Sequence, residues 1–235
     1  MPGAALEIEG LSVRGARGRR LLDVPRFALP AGTALAVRGP SGAGKSTFLH
    51  ALAGLVPAAA GAVRWDGEDI AALPEPARAA FRRRRVGFVF QEHLLFEELS
   101  APENAAIAAL YGSRAGRDAV HGRGRERLAE LGLDAGETRR SDTYSGGERQ
   151  RIAVARALAT DPAILLADEP TASLDRANAD RLAAELVRLA HEEGRTLVAV
   201  SHDPALHAVA DRVIDLADGR IDGCIEGRIT GDAAT

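Results

Sequence analysis

The stretch "GPSGAGKST", residues 39–47, sets Gly39, Gly44, Lys45 and Ser46 in the spacing G-x-x-x-x-G-K-[ST]. Glycines let the backbone curl until several N–H groups face one anion. A helix that starts there points its positive end at the same place. Lys45 can reach the β- and γ-phosphates of a nucleotide, and the Ser46 hydroxyl can ligate Mg²⁺. The whole run of Gly39, Pro40, Ser41, Gly42, Ala43, Gly44, Lys45, Ser46 and Thr47 is therefore the candidate triphosphate cradle.

A second set of residues completes that chemistry. "ILLADEP" ends an apolar run with Asp168 and Glu169. Asp168 is placed to hold Mg²⁺ through water, and Glu169 to polarise an attacking water. An acidic turn after a strand is the plainer alternative for Asp-Glu-Pro; a phosphate loop in the same chain argues against it.

A third stretch, "YSGGERQR" at 144–151, reads in two ways. Ser145 and Glu148 have the S-x-x-E spacing of a capping box, which makes this the plain start of a helix. Gly146 and Gly147 also strip side chains from the exposed helix end, as an approaching anion requires.

The elements that must position these residues alternate. "TALAVRG" (33–39) reads as a strand and "KSTFLHALAGL" (45–55) as a helix. "VGFVFQ" (86–91), "AILLAD" (163–168) and "TLVAVSH" (196–202) read as strands, and "RLAAELVRLAHEEG" (181–194) as a helix. That rhythm predicts an α/β fold with a mostly parallel core. "LEIEGLSV", "RFALP" and "AVRWDG" read as an antiparallel β flank. "PENAAIAALYG", "GRERLAELGL" and "ERQRIAVARALA" all read as helices, which predicts a helical subdomain over 92–159 carrying "YSGGERQR". Residues 1–91 and 160–235 then form the α/β core with its antiparallel flank.

Composition bounds the rest. The chain has 235 residues, enough for one large domain or two small ones. A net charge of −3 and 4% aromatic residues argue against a nucleic-acid partner. The single cysteine, Cys224, excludes an internal disulfide and fits a reducing compartment. "MPGAALEIEG" does not read as a signal peptide, and "ALAGLVPAAAGAV" (51–63) is too short to span a bilayer. The chain is expected to be soluble, with any membrane role depending on a partner.

These motifs together resemble the ATPase subunits of ABC transporters. The series covers nearly the whole chain in order: the phosphate loop, Gln91 closing "VGFVFQ", "YSGGERQ", "ILLADE", "SLD" (173–175) and "SH" (201–202). Tyr144 departs mildly from the leucine that usually opens the signature. The resemblance implies a P-loop NTPase core and two copies facing head to tail around two molecules of ATP. The phosphate loop of one copy and the signature of the other would close on the same ATP. By that resemblance Ser145, Gly146 and Gly147 would contact the nucleotide held by the partner copy's Lys45. Glu169 would be the general base, His202 would contact the γ-phosphate, and Gln91 would ligate Mg²⁺ and report on the membrane partner. Asp175 and Ser145 would lie in the dimer interface.

The closest likeness is to the stand-alone ATPase subunits of the lipoprotein-releasing and macrolide-exporting group. It rests on "VGFVFQ", "PEN", "YSGGERQRIAVARAL", "DEPTASLD" and "SHDPAL…ADRVIDLADGRI". The resemblance implies a peripheral protein on the cytoplasmic face of a bacterial inner membrane. It would drive a separate permease that exports or extracts a hydrophobic molecule, lipoprotein or peptide. Some similar proteins instead pull on a membrane partner that controls cell-wall hydrolases, and this sequence does not separate the two. DNA-repair and translation ATPases fit poorly: no sustained heptads lie between loop and signature, and one set of motifs is present.

Two local features stand out. No aromatic lies between Ile8 and Phe27 to stack on adenine, so Arg14, Arg17 or Arg19 is expected to serve, with a weakened preference for ATP over GTP. Leu94, Leu95, Phe96 and Leu99 follow Gln91 and read either as local packing or as a socket for a membrane subunit's helix. "FRRRR" (81–85) reads as a solvated helix end.

Overall fold

The computed structural model describes residues 3–111 and 114–226. In chain order the strands are β1 (Leu6–Arg14), β2 (Arg20–Leu29), β3 (Ala34–Arg38), β4 (Ala60–Trp65), β5 (Glu68–Asp69), β6 (Val86–Val89), β7 (Ile164–Asp168), β8 (Thr196–Val200), β9 (Arg212–Ala217) and β10 (Arg220–Glu226). The helices are α1 (Lys45–Leu52), α2 (Glu75–Arg85), α3 (Ala101–Ala105), α4 (Arg114–Glu130), α5 (Gly146–Leu158), α6 (Arg176–Glu192) and α7 (Pro204–Val209).

Strands β3, β7 and β8 are near-continuous apolar runs because both faces of their sheet are covered. Period-two alternation divides their side chains between two layers. Leu35, Val37, Ile164, Leu166, Val198 and Val200 pack with Phe48, Leu49 and Leu52 of α1. Leu165, Ala167, Leu197 and Ala199 pack on the other side with Leu182, Leu186 and Leu189 of α6 and Leu206 of α7. The sheet order is β10-β9-β3-β8-β7-β6, parallel except for the last hairpin.

The expected antiparallel flank is a second sheet of order β2-β1-β4-β5. Leu6, Ile8, Leu11 and Val13 of β1 cover the far side of α1, which is thus enclosed between two sheets. The Trp65 indole N–H donates to the Leu52 carbonyl at 2.9 Å and fastens the end of α1 to this flank.

Helices α3, α4 and α5 surround a small core of Ala101, Ala105, Leu128, Tyr144 and Ile152. Helix α5 has two apolar faces: Ile152 and Ala155 join that core, while Val154, Ala157 and Leu158 lie on the parallel sheet. Arg127 of α4 grips Glu193 with two hydrogen bonds of 2.8 Å, and Arg195, 2% exposed, joins the same Glu193 to Asp161.

Some expected elements differ in detail. Helix α6 starts at Arg176, ahead of position 181, because the Asp175 carboxylate accepts the Asn178 N–H at 3.0 Å and caps it. The stretch from Pro102 is not one helix: α3 ends at Ala105 and a 3-10 turn covers Ile107–Tyr111. Its last residue, Gly112, lies outside the described residues, as do Met1, Pro2 and positions 227–235 of the tail. The strand read as "RFALP" begins at Arg20, and the β9–β10 hairpin was not anticipated.

Candidate nucleotide site

Strands β3, β8, β7 and β6 are adjacent and parallel, so their C-terminal ends meet on one edge of the sheet. Ligands of open parallel sheets bind at such edges, in the loops that leave the strands. Here those loops carry Gly39–Gly44, Ser201 and His202, Asp168 and Glu169, and Gln91. They border one open cavity of about 980 Å³, lined among others by Ser41, Gly42, Gly44, Lys45, Ser46, Thr47, Gln91, Asp168, Glu169 and His202.

The loop's curl requires its glycines. Gly39 has φ +155°, and a Cβ there would come within 2.0 Å of the Leu216 carbonyl oxygen. Gly44 has φ +99°, and a Cβ there would meet the Leu21 carbonyl oxygen at 2.8 Å. Lys45, 9% exposed, donates to the carbonyls of Gly39 at 2.8 Å and Pro40 at 3.0 Å, which holds its ammonium inside the curl. Gly39, Pro40 and Ala43 shape the loop from behind and do not line the cavity.

The carboxylates differ in setting. Asp168 ends β7 and is 6% exposed. Glu169 follows with φ +49°, an unfavourable left-handed conformation for a non-glycine residue, and its N–H donates to Val200 O at 2.9 Å. That twist turns its carboxylate toward the end of β8. There it accepts the His202 N–H at 3.3 Å, and its other oxygen lies 3.5 Å from His202 Nε2. Asp203 holds the same turn: its N–H donates to Ser201 Oγ at 3.0 Å, and its carboxylate accepts the Ala205 N–H at 2.9 Å and pairs with Arg176 at 3.0 Å. Burial opposes ionisation of Asp203, but the Ala205 N–H, Thr171 and Arg176 outweigh it and leave the pKa lowered.

The signature residues Ser145, Gly146 and Gly147 do not line this cavity. Ser145 makes a full capping box: its Oγ accepts the Glu148 N–H at 3.3 Å, and its own N–H donates to Glu148 Oε2 at 2.8 Å. The N–H groups of Gly146 and Gly147 donate to nothing among the described residues. Gly147 has a packing reason as well, since a Cβ there would lie 2.9 Å from Leu174 Cδ2. At Gly146 the nearest atom to such a Cβ is Ser173 O at 3.7 Å. Asp175 is exposed, caps α6, and lies outside the cavity.

Of the arginines considered for stacking, Arg19 lines the cavity and Arg14 and Arg17 do not. Arg20, Leu21, Thr171, Arg176, Asp203 and Asp218 also line it and were not singled out in the sequence. They come from β2, the turn after Glu169, the start of α6, the turn after β8 and the β9–β10 hairpin, where no spacing rule marks them.

A family model described as "ABC transporter" matches residues 22–172. The chain belongs to the ABC transporter family. This ABC cassette is 42% identical over 219 residues to the lipoprotein-releasing system ATP-binding protein LolD of Chromohalobacter salexigens, covering 92% of each chain. It is 41% identical to LolD of Bordetella pertussis, covering 93% of this chain and 96% of that one. It is also 42% identical to the macrolide export ATP-binding/permease protein MacB of Bradyrhizobium diazoefficiens, over 85% of this chain and 30% of that protein. The ABC cassette superposes on the dimeric structure of MJ0796, a bacterial ABC transporter cassette, with a TM-score of 0.86 at 30% identity, covering 95% of this chain and 99% of that one. A post-hydrolysis state of MJ0796 bound to ADP and Pi gives a TM-score of 0.84. The protein is accordingly an ATP-binding, ATP-hydrolysing ABC cassette.

Proposed function

We propose that two copies of this ATPase close head to tail on two molecules of ATP. Their motion would drive a separate membrane permease that extracts or exports a lipoprotein, a hydrophobic molecule or a peptide. The observation that carries this reading is the division of the motifs. Lys45, Ser46, Gln91, Asp168, Glu169 and His202 share one cavity, while the exposed Ser145 and the half-buried Gly146 and Gly147 lie outside it. A helix end with two free N–H groups is an anion site in search of an anion. The relatives named for lipoprotein release and the dimeric MJ0796 cassette support the same reading.

In this account the curled loop and α1 hold the phosphates through backbone N–H groups, and Lys45 leaves its carbonyl partners to meet the γ-phosphate. Glu169 accepts the proton of the attacking water. His202, opposite Glu169, orients that water and the γ-phosphate. Ser145, Gly146 and Gly147 complete the site of the opposing copy, with Asp175 beside them in the interface. The unengaged N–H groups of Gly146 and Gly147 suit that role better than the cap alone does. Ser46, Gln91 and Asp168 offer a hydroxyl, an amide carbonyl and a carboxylate on one cavity, the hard oxygen donors that Mg²⁺ takes. A Mg²⁺ ion held there would supply positive charge against the phosphates.

Residues 92–159 are proposed to act as a unit that carries the signature, with 1–91 and 160–235 as the core. Among the described residues no helix is long and apolar enough to cross a membrane. We place the protein peripherally on the cytoplasmic face of a bacterial inner membrane, held by its permease and not by nucleic acid. Leu94 and Phe96, 52% and 53% exposed after Gln91, fit the permease contact. Reconstitution with a candidate membrane permease tests this: ATPase activity should rise on complex formation. An unchanged rate, with no complex, would overturn the permease assignment.

A further inference from the structure

The turn after Gln91 is built against backbone preference. His93 and Leu94 have φ values of +59° and +48°, consecutive left-handed residues without a glycine. L-residues avoid that region, so a run of two persists only where the surroundings impose it. The local bonds are few: His93 N–H donates to Phe90 O at 3.1 Å and Leu94 N–H to Glu92 O at 2.6 Å.

What imposes the turn is Arg156 of α5. Its guanidinium donates to the Leu94 carbonyl at 2.5 Å and to the His93 carbonyl at 2.6 Å. Among the described residues no carboxylate pairs with it, and burial alone pulls its pKa down. A half-buried guanidinium with two carbonyls as its partners costs desolvation without an ion pair to offset it. The fork geometry of arginine suits this task, because two N–H groups can hold two successive carbonyls at once. Beyond the turn, Asn104 takes over: its Oδ1 accepts the Phe96 N–H at 2.8 Å and its Nδ2 donates to Phe96 O at 2.9 Å.

We propose that Arg156 is a positioning residue for hydrolysis. It locks the Gln91–Leu94 turn to the helix that begins with the signature, so that α5 and Gln91 move as one body. A load on the exposed Leu94 side chain then reaches the signature through Arg156, without passing through the phosphate loop. The kinetic part rests on the reading of Gln91 given above; the mechanical part does not.

The test uses the full chain with Arg156→Met, Arg156→Lys and, separately, Gln91→Ala. Hydrogen exchange is followed at the amides of His93, Leu94 and Phe96, with ATPase kcat and KM and the affinity for a fluorescent ATP analogue. Arg156→Met should speed exchange at His93 and Leu94 by about tenfold or more relative to strands β7 and β8. It should lower kcat by about tenfold or more, since a misplaced group costs rate before it costs binding, with KM and nucleotide affinity within about twofold. Arg156→Lys, which keeps the charge but loses the fork, should fall between, and it carries the test if the methionine variant does not fold. Exchange unchanged at these amides, or raised equally throughout the chain, would overturn the proposal. A normal kcat in Gln91→Ala would remove the reading of Gln91 and leave the exchange result to judge Arg156.

Discussion

The Glu169 carboxylate accepts the His202 amide hydrogen at 3.3 Å while its second oxygen lies 3.5 Å from His202 Nε2. The two residues leave adjacent parallel strands, and the left-handed backbone at Glu169 brings them face to face. A carboxylate so placed beside a nucleotide cavity is suited to general-base work. Glu169→Gln keeps the shape and removes the base. It should bind ATP within a few-fold of the wild type, by fluorescent-analogue titration, while kcat falls by about 10²–10⁴.

His202→Ala should act differently from Glu169→Gln. Its imidazole is 58% exposed and reaches over the cavity, so folding does not depend on it. We expect an unchanged melting temperature and a kcat lower by about 10² or more. A wild-type rate measured at saturating ATP would remove His202 from the site.

The glycines of the loop and of the signature should separate cleanly. Gly39→Ala drives a Cβ to 2.0 Å from the rigid Leu216 carbonyl oxygen, in a backbone conformation closed to alanine. It should destabilise the protein by about 2–3 kcal/mol or more and abolish nucleotide binding. Gly147→Ala meets only the tip of Leu174 at 2.9 Å, which can turn aside. Its melting curve should stay close to wild type, while ATP turnover falls if that surface meets a second copy's phosphate. Thermal melts and a turnover assay on the two variants decide this.

The signature cap predicts a pH dependence. Hydrogen bonds from Ser145, and then Arg139, hold the Glu148 pKa below its usual 4.5 against a smaller effect of burial. The folded state thus favours the carboxylate. This stability is present above the unfolded pKa and is lost as pH falls through the folded one. Glu148→Gln should be less stable than wild type at pH 7, and the gap should narrow below pH 4.5, the usual value for the group. Denaturant melts at both pH values measure it; a gap independent of pH would contradict the account.

Arg19 lines the cavity where related sites would present an aromatic ring, and a guanidinium stacks on any base. Arg19→Ala should weaken ATP and GTP alike by about three- to tenfold, read from competition titrations. A loss confined to ATP would mean that adenine is read by other contacts.

Much of the site was legible because its chemistry fixes spacing. Glycines at 39 and 44, followed at once by Lys45 and Ser46, have few other uses, and apolar runs ending in Asp168 or followed by His202 announce strand ends. The parts that escaped obey no spacing. Arg19 and Asp218 reach the cavity only because distant strands pair, and Asp203 because the turn after His202 carries it there. Helix α6 starts early because Asp175 caps it, a bond that its "SLD" context does not advertise. The left-handed pair at His93 and Leu94 is invisible in sequence, since neither residue favours it and Arg156, which holds it, lies on another element. Gly147 was read as room for an anion alone; Leu174 shows that packing uses the same space.

The central claim is that the signature of one copy reads the phosphate held by another. Light scattering of purified Glu169→Gln protein with ATP and Mg²⁺, alone and combined with Ser145→Arg, tests it most directly. The account predicts a dimer that forms only with ATP and disappears when Ser145→Arg is added. A monomer throughout, or a dimer indifferent to Ser145→Arg, would contradict it and leave "YSGGERQR" a capped helix and nothing more.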